Sequence, residues 1–502
     1  MTTSTEAAYA SLKERFHLLA NLTGAGSILY LDSMTVMKPG SESDRSEQTM
    51  ALATAGQKLL AHPEVKGWLD EAEANASTLS RDDRTNLRLM RRRWVSATAI
   101  PESLVRESAR LEIEGNNLHT RHRDEGNWAK MKPVYEASFR TAREIGEIMK
   151  DALGVATPYE ALLDQFNPGL TLATVEREFA TLEAALPGMI AGALERQKTA
   201  GAALPLPAVP LGALKQIGEE LMLAIGFDES RGVLHVGDMH PLSGGTPDDS
   251  RLTTRYDPTN PLDGLFTVAH ETGHSLYEQG SPAAWRYQPA GHTMGMDIHE
   301  SQSMIMELQA CRTPEILEYL VGKFSAQGSD AAFTADNFAR SLFRVQPSFI
   351  RVHSDELTYP VHIILRFNLE RDLIAGKLAM SDLPDAWNEG MKKSLGIVPP
   401  GPAQGHMQDV HWATMSIGYF PAYTLGAMGA AQLFAAAVKA RPEIRAELRQ
   451  GQFKALRQWL TDNVYSKGSL LTQDELFTAA TGEKLNAACY MSHLSRRFLG
   501  HD

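Results

Sequence analysis

The chain has 502 residues, 43% of them apolar and 22% charged. That is enough to bury a large core and too balanced for a disordered or fibrous protein. A formal charge of −12 opposes a nucleic-acid backbone or an anionic membrane surface as the main partner. The two cysteines, Cys311 and Cys489, form no CxxC pair, which argues against a disulfide framework and a thiolate zinc site.

The opening "MTTSTEAAYASLKERFHLLANL" lacks a basic segment leading into an apolar run, and no stretch of eighteen apolar residues follows it. A cytoplasmic location is the simplest expectation. The same segment reads as a helix with Thr3 as N-cap, Glu6 closing a capping box, and Tyr9, Leu12, Phe16 and Leu19 on one face. Helical spacing continues through "SRDDRTNLRLMRRRWVSATAI", through the segment opened by Pro101, and through "TLATVEREFATLEAALPGMIAGALERQ". The triplet Arg91 to Arg93 lies near Asp82 and Asp83 and reads as a solvated helix face.

Two places break the rhythm. "GAALPLPAVPLG", residues 201–212, carries three prolines and reads as an extended connector, a candidate hinge or lobe boundary. Gly232 to Val236 and Arg251 to Tyr256 read as two short strands separated by a Gly/Pro/Asp loop. The expected class is mainly α, a single domain over 1–502 with a helical N-terminal lobe (about 1–200), a catalytic lobe (about 213–502) and a small β-sheet beside the next helix.

That helix carries the chemistry. "TVAHETGHSLYEQG" holds His270 and His274 four residues apart, so on a helix both imidazoles share one face and can reach one ion. Glu271 is rotated by about a quarter turn and lies beside such an ion, placed as a base. Pro258 and Pro261 precede the helix, Asp263 is the expected cap, and Leu265, Val268, Ala269 and Leu276 form its apolar face.

A catalytic zinc site takes three protein ligands and keeps a position open. Tyr277 and Gly280 stand where the metzincin pattern wants Gly and His, so the third ligand comes from elsewhere. Downstream, "GMDIHESQSMIMELQACRT" has a polar face of Glu300, Ser303 and Glu307 among Ile298, Met304, Ile305 and Leu308. Glu300 is the expected ligand and His299 the alternative. With such ligands Glu271 takes a proton from water and passes it to a leaving amine, which is peptide or amide hydrolysis.

A strand such as "SRLTTRY" beside the metal helix can hold an extended peptide by edge addition. Later segments add polar groups to apolar settings: Arg351, Asp355, Glu356 and Tyr359 in a helix-like stretch, then Gln408, Asp409, His411, Tyr419 and Tyr423 around Trp412. An Arg can grip a carboxylate bidentately, and Tyr or His can donate to an oxyanion.

Six blocks in order, "HPL" at 240–242, "DSRLT" at 249–253, "HETGH" at 270–274, "HESQ" at 299–302, "IRVHSD" at 350–355 and "GHMQDVHW" at 405–412, make the chain resemble the Taq-type metallocarboxypeptidases. "YEALLDQFNPG" at 159–169 extends the likeness into the N-terminal half. The resemblance implies a helical, saddle-like homodimer with a deep groove that removes single C-terminal residues from peptides with broad specificity. It implies His270, His274 and Glu300 as metal ligands and Glu271 as general base. It further implies Arg351 as holder of the substrate carboxylate, Tyr423 and His411 as oxyanion or substrate donors, and one divalent ion per chain, zinc first and cobalt second. Leu242 and Ser354 depart from the usual Phe and Ala of those blocks. The nearest alternative is an oligopeptidase or endopeptidase with the same site, and a more distant one is a peptide-binding protein with a structural metal.

Overall fold

A computed structural model describes residues 4–237 and 241–501. Four helices, α1 (Ser4–Thr35), α2 (Glu42–Leu60), α3 (Pro63–Ala74) and α4 (Arg81–Thr98), enclose a small core of their own. Tyr9, Leu12 and Phe16 sit in that core with Leu69, Leu87 and Met90, as the helical spacing predicts, and Leu19 packs against it. The predicted cap Thr3 lies outside the described residues.

The arginine triplet is not simply solvated. Arg91 pairs with Asp70 and Glu73, while Arg92 pairs with the buried Asp164, so this helix is tied both to its neighbour and to the rest of the molecule. Tertiary partners absorbed charges that helical spacing alone assigns to solvent.

The chain continues through α5 (Glu102–His122), α6 (Trp128–Leu153), α7 (Pro158–Phe166), α8 (Leu172–Ala200) and α9 (Leu211–Ile225). Pro101 stands immediately before α5, where its missing N–H costs nothing. Side chains of Thr157 and Thr171 accept from the backbone of Glu160 and Thr174 and start α7 and α8. Apolar faces of α6 to α8 enter the same large core as residues 209–498. The proline-rich connector is extended only over 201–210, because Leu211 already begins a helix, and Val209 is fixed by a hydrogen bond to the Pro258 carbonyl at 3.0 Å.

Among the described residues the sheet has three strands, not two: β1 (Gly232–Val236), β2 (Leu242–Thr246) and β3 (Asp249–Thr254), in the order β1-β3-β2. β1 is parallel to β3 and β2 antiparallel to it. β3 begins two residues before the predicted strand. β2, "LSGGT", falls in the stretch read as loop, since two glycines and no alternation hide a strand. Its partners come from elsewhere in the chain: Leu31 packs on Gly244, and the Gly245 N–H donates to Ser27 Oγ. Because β3 is central, the edge predicted to receive a peptide is already occupied on both sides. Among the described residues β2 is the edge strand next to the metal helix, and its Gly245 N–H is already taken by Ser27.

Helix α10 (Asp263–Gln279) follows the sheet and crosses α11 (Met296–Met304), which runs into a π turn over Ile305–Ala310. Beyond lie α12 (Pro314–Ser325), α13 (Ala335–Leu342), α14 (Tyr359–Ile374) and α15 (Leu383–Leu395). The chain ends with α16 (Pro421–Ala440), α17 (Glu443–Arg449), α18 (Lys454–Asn463), α19 (Gln473–Thr481) and α20 (Ala487–Leu494). The mainly helical class with a small sheet beside the metal helix is therefore the observed one. Both cysteines are free thiols. Among the described residues no helix is long and apolar enough to cross a membrane.

Two glycines allow the crossings that build the site. A methyl group at Gly273, inside the histidine motif, would collide with the Gln302 carbonyl of α11. One at Gly426 of α16 would lie 2.8 Å from Glu300 Cβ. Backbone-to-backbone approach of this kind is what glycine permits.

Candidate metal centre and substrate groove

α10 presents His270 and His274 on one face, their ring centroids 4.9 Å apart. Asp263 is the first residue of the helix rather than its cap; Leu262 occupies the cap position and makes no side-chain cap bond. From α11, Glu300 reaches His274 Nε2 at 3.4 Å and His270 Nε2 at 3.9 Å. One ligand atom from each of these three residues lies within 4.8 Å of the others. Bonds of 2.0–2.2 Å in a tetrahedral zinc site put ligand atoms about 3.4 Å apart, so a divalent ion fits with little adjustment.

The charges fit it too. Burial works against ionising Glu300, yet His274 and His270 hold its carboxyl down to about 2. Burial pushes His274 down to about 4 and so keeps the imidazole in the neutral form that binds metal. For His270, burial opposes the charge, but the Glu307 hydrogen bond and the Glu300 and Glu271 carboxylates outweigh it and push the imidazole up to about 10. Acidic groups surround an imidazole here that a dication would relieve of its proton.

Glu271 is buried, which raises its carboxyl above the ordinary range, while His270 and a hydrogen bond from Ser243 of β2 restrain the rise. The alternative ligand His299 stands apart from the three-residue cluster. It pairs with Glu278 at 3.0 Å and stacks on His274 at 4.5 Å, which makes it a support for that ring. A cleft of about 730 Å³ opens beside His270 and Glu271, bounded by Phe266, Glu307, Val352 and Asp355.

Arg351 stands on a short 3₁₀ turn ahead of α14, not within a helix. Its buried guanidinium donates to Asp409 through Nε at 2.9 Å and to Tyr359 Oη through Nη1 at 2.6 Å, and its Nη2 lies 2.8 Å from the same Asp409 oxygen as an ion pair. Two of five N–H groups are thus committed to hydrogen bonds, and the others, one edge of the fork among them, remain. Gln408 fixes the backbone by accepting from the Arg351 N–H at 2.7 Å.

The ring of Tyr423, on α16, lies under the Arg351 guanidinium at 5.0 Å, and its hydroxyl is 3.3 Å from His411 Nε2. Burial pushes His411 down to about 4, so it is a neutral donor or acceptor. Tyr419 stacks edge-on against Tyr423 at 5.3 Å. Two residues singled out from sequence have structural duties instead: Asp355 accepts from the backbone of Gln346, Leu357 and Thr358, and Glu356 holds His493 and Arg497. The histidine of the "HPL" block, His240, lies outside the described residues.

Sequence reasoning missed Ser243, Glu278 and Arg312, which reach the site through Glu271, His299 and Glu307. It also left unexplained why "YEALLDQFNPG" belongs with the catalytic blocks. Asn167 accepts from the Asp297 N–H at the start of α11, and Tyr159 donates to Glu370, which also receives Trp412 Nε1 and the Gly418 N–H near His411.

Two imidazoles, a carboxylate from a crossing helix and an adjacent buried carboxyl, on a helical scaffold, define a metal-dependent hydrolase. Residues 11–498 match the model of the carboxypeptidase Taq (M32) metallopeptidases, and the chain belongs to that family. It is 32% identical to thermostable carboxypeptidase 1 of Thermus thermophilus, covering 98% of each chain, and 31% identical to carboxypeptidase 1 of Bacillus subtilis, covering 97% of each. Among solved structures it is similar to Trypanosoma cruzi metallocarboxypeptidase 1 (TM-score 0.95, 32% identity, 98% and 99% covered). It is also similar to the Pyrococcus furiosus carboxypeptidase (TM-score 0.93, 27% identity, 99% and 100% covered). The protein is a metallocarboxypeptidase, a hydrolase acting at peptide C-termini.

Proposed function

We propose that the protein releases single C-terminal residues from peptides with broad specificity, using one divalent ion held by His270, His274 and Glu300, zinc first and cobalt second. The observation that carries this is the convergence of those three ligand atoms within 4.8 Å next to the buried Glu271. A divalent ion there supplies Lewis-acid polarisation of water and of the scissile carbonyl.

The chain's own residues do the rest. Glu271, with its raised carboxyl, takes the proton of the attacking water and returns it to the leaving amine. Tyr423 donates its hydroxyl to the developing oxyanion, with His411 orienting it from 3.3 Å. Arg351 offers its uncommitted N–H groups to the terminal carboxylate, while Asp409 and Tyr359 hold the guanidinium still. The resemblance also supports a homodimer and a cytoplasmic setting, which light scattering and fractionation test.

The decisive comparison uses one peptide with a free and with an amidated C-terminus. Arg351→Ala is expected to cut kcat/KM for the free acid by about 2–5 kcal/mol in transition-state terms, and to change the slow cleavage of the amide little. Equal losses on both would replace the carboxypeptidase role of Arg351 with that of an oligopeptidase groove residue. Chelation should abolish release, and zinc or cobalt should restore it.

A further inference from the structure

The two histidines of α10 are supported unequally. His270 lies between two carboxylates of one continuous segment: Glu300 faces its Nε2 at 3.9 Å, and Glu307 meets its Nδ1 at 2.8 Å. Glu307 is itself anchored, because Arg312 Nη2 donates to its other oxygen at 2.5 Å. Arg312 lies over the Phe266 ring at 5.0 Å, one turn before His270 on α10. The carbonyl of Leu308, within the π turn, accepts from Arg497 at 2.8 Å, and Arg497 is bound to Glu356. The support for His270 therefore reaches through to the C-terminal part of the fold.

His274 has nothing comparable. Its Nδ1 is buried and has no hydrogen-bond partner among the described residues, and its ring is held by stacking on His299.

The backbone explains how one segment can serve both nitrogens of one imidazole. Glu300 and Glu307 are seven residues, about 10 Å of helix, apart. α geometry ends at Met304, and the π turn over Ile305–Ala310 sets the phase of every residue after it. π turns are rare and cluster at functional sites.

We propose that Glu307, held by Arg312, is a positioning residue of the metal centre: it fixes the His270 ring with Nδ1–H donated to its carboxylate and Nε2 directed at the ion. This rests on the reading of His270, His274 and Glu300 as ligands. An imidazole locked in one tautomer by a carboxylate is a stronger and better-aimed ligand, and losing such a partner typically weakens metal binding 10–100-fold. Glu307 touches neither peptide nor water in this role, so it acts through His270 alone.

The test measures zinc affinity by competition with a chromophoric chelator in the full-length protein, beside the visible spectrum of the cobalt form. Glu307→Gln is expected to weaken zinc by about 10–100-fold, to shift the cobalt bands, and at saturating zinc to lower kcat with KM unchanged. Arg312→Gln, which leaves the carboxylate in place but unanchored, is expected to move each readout the same way by less, and it serves if the first variant fails to fold. Glu307→Asp keeps the charge at shorter reach and is expected to recover part of the affinity. Zinc affinity within twofold of the parent in both Glu307→Gln and Arg312→Gln, whatever their activity, overturns the proposal while leaving the three ligands intact. A parent protein that takes up no zinc or cobalt overturns the ligand assignment, and this role with it.

Discussion

Two clusters of buried charge, one around α10 and one ahead of α14, are opposite in sign. Around α10, the carboxyl groups of Glu271, Glu300 and Glu307 gather with Arg312 as the paired fixed cation. Ahead of and along α14, Arg351 and the fully buried Arg366 share the one carboxylate of Asp409, at 2.8 and 2.5 Å. The first cluster lacks a cation and the second lacks an anion. Buried charge is costly unless paired, so the net negative charge of the first cluster favours a cation and the net positive charge of the second an anion, the parts given to a metal ion and a substrate carboxylate in the proposed function. On that proposal a peptide with a free C-terminus supplies the missing anion, whereas an internal peptide segment does not.

The largest expected effect separates ligand from base within the first cluster. Glu271→Gln is expected to lower kcat by about 10²–10⁴-fold while bound zinc, measured by elemental analysis, stays at the parent level. Glu300→Ala is expected to lose zinc and activity together. Zinc loss in the Glu271 variant would move that residue from base to ligand and redraw the cluster.

In the second cluster, Asp409→Asn leaves two buried guanidinium groups without a counter-charge. Breaking a buried pair in this way costs about 3–5 kcal/mol, to be read from urea unfolding of the apo protein. The free-acid preference of the enzyme should fall as well, since Arg351 loses the group that aims it. A smaller effect tests the packing of α16 on the first cluster. Gly426→Ala brings a methyl group against Glu300, and overpacking of this kind costs about 1–3 kcal/mol. Zinc affinity should drop with stability, because the pressure falls on the proposed ligand Glu300.

The two clusters also differed in how far the chain disclosed them. Helical periodicity is local, so His270, Glu271 and His274 could be placed from spacing, and Glu300 from the amphipathic stretch that follows. Arg351 is held by Asp409 from 58 residues away, and no periodicity links them. The same limit hid β2, whose glycines pair only because β3 and α1 are beside them, and it assigned a free edge to β3. The π turn that brings Glu307 to His270 was also illegible, since packing against α10 and α16 rather than residue preference selects it. What the residues themselves encode is the donor set. How it is aimed depends on contacts between segments far apart in the chain.

Glu370 tests whether the loop carrying His411 is held by charge or by geometry. Burial pushes its carboxyl up to about 7, against the pull of hydrogen bonds from Tyr159, Trp412 and Gly418. An ordinary Glu in the unfolded chain titrates near 4.5. Between those values the folded protein keeps a proton that the unfolded chain has released, so this group's stabilising share is complete below pH 4.5 and is lost as pH rises through 7. The slope it contributes reaches at most about 1.4 kcal/mol per pH unit. Glu370→Gln removes that slope. Its amide oxygen can still accept from Tyr159 and Gly418, but its NH₂ then faces the Trp412 N–H, and one lost hydrogen bond costs about 1 kcal/mol. Unfolding of the apo protein across pH 5 to 8 should therefore give a flatter curve for the variant, at or slightly below the parent near pH 5 and above it at pH 8. An unchanged slope would mean that Glu370 stays ionised in the fold and that charge, balanced by Arg366 nearby, anchors the loop.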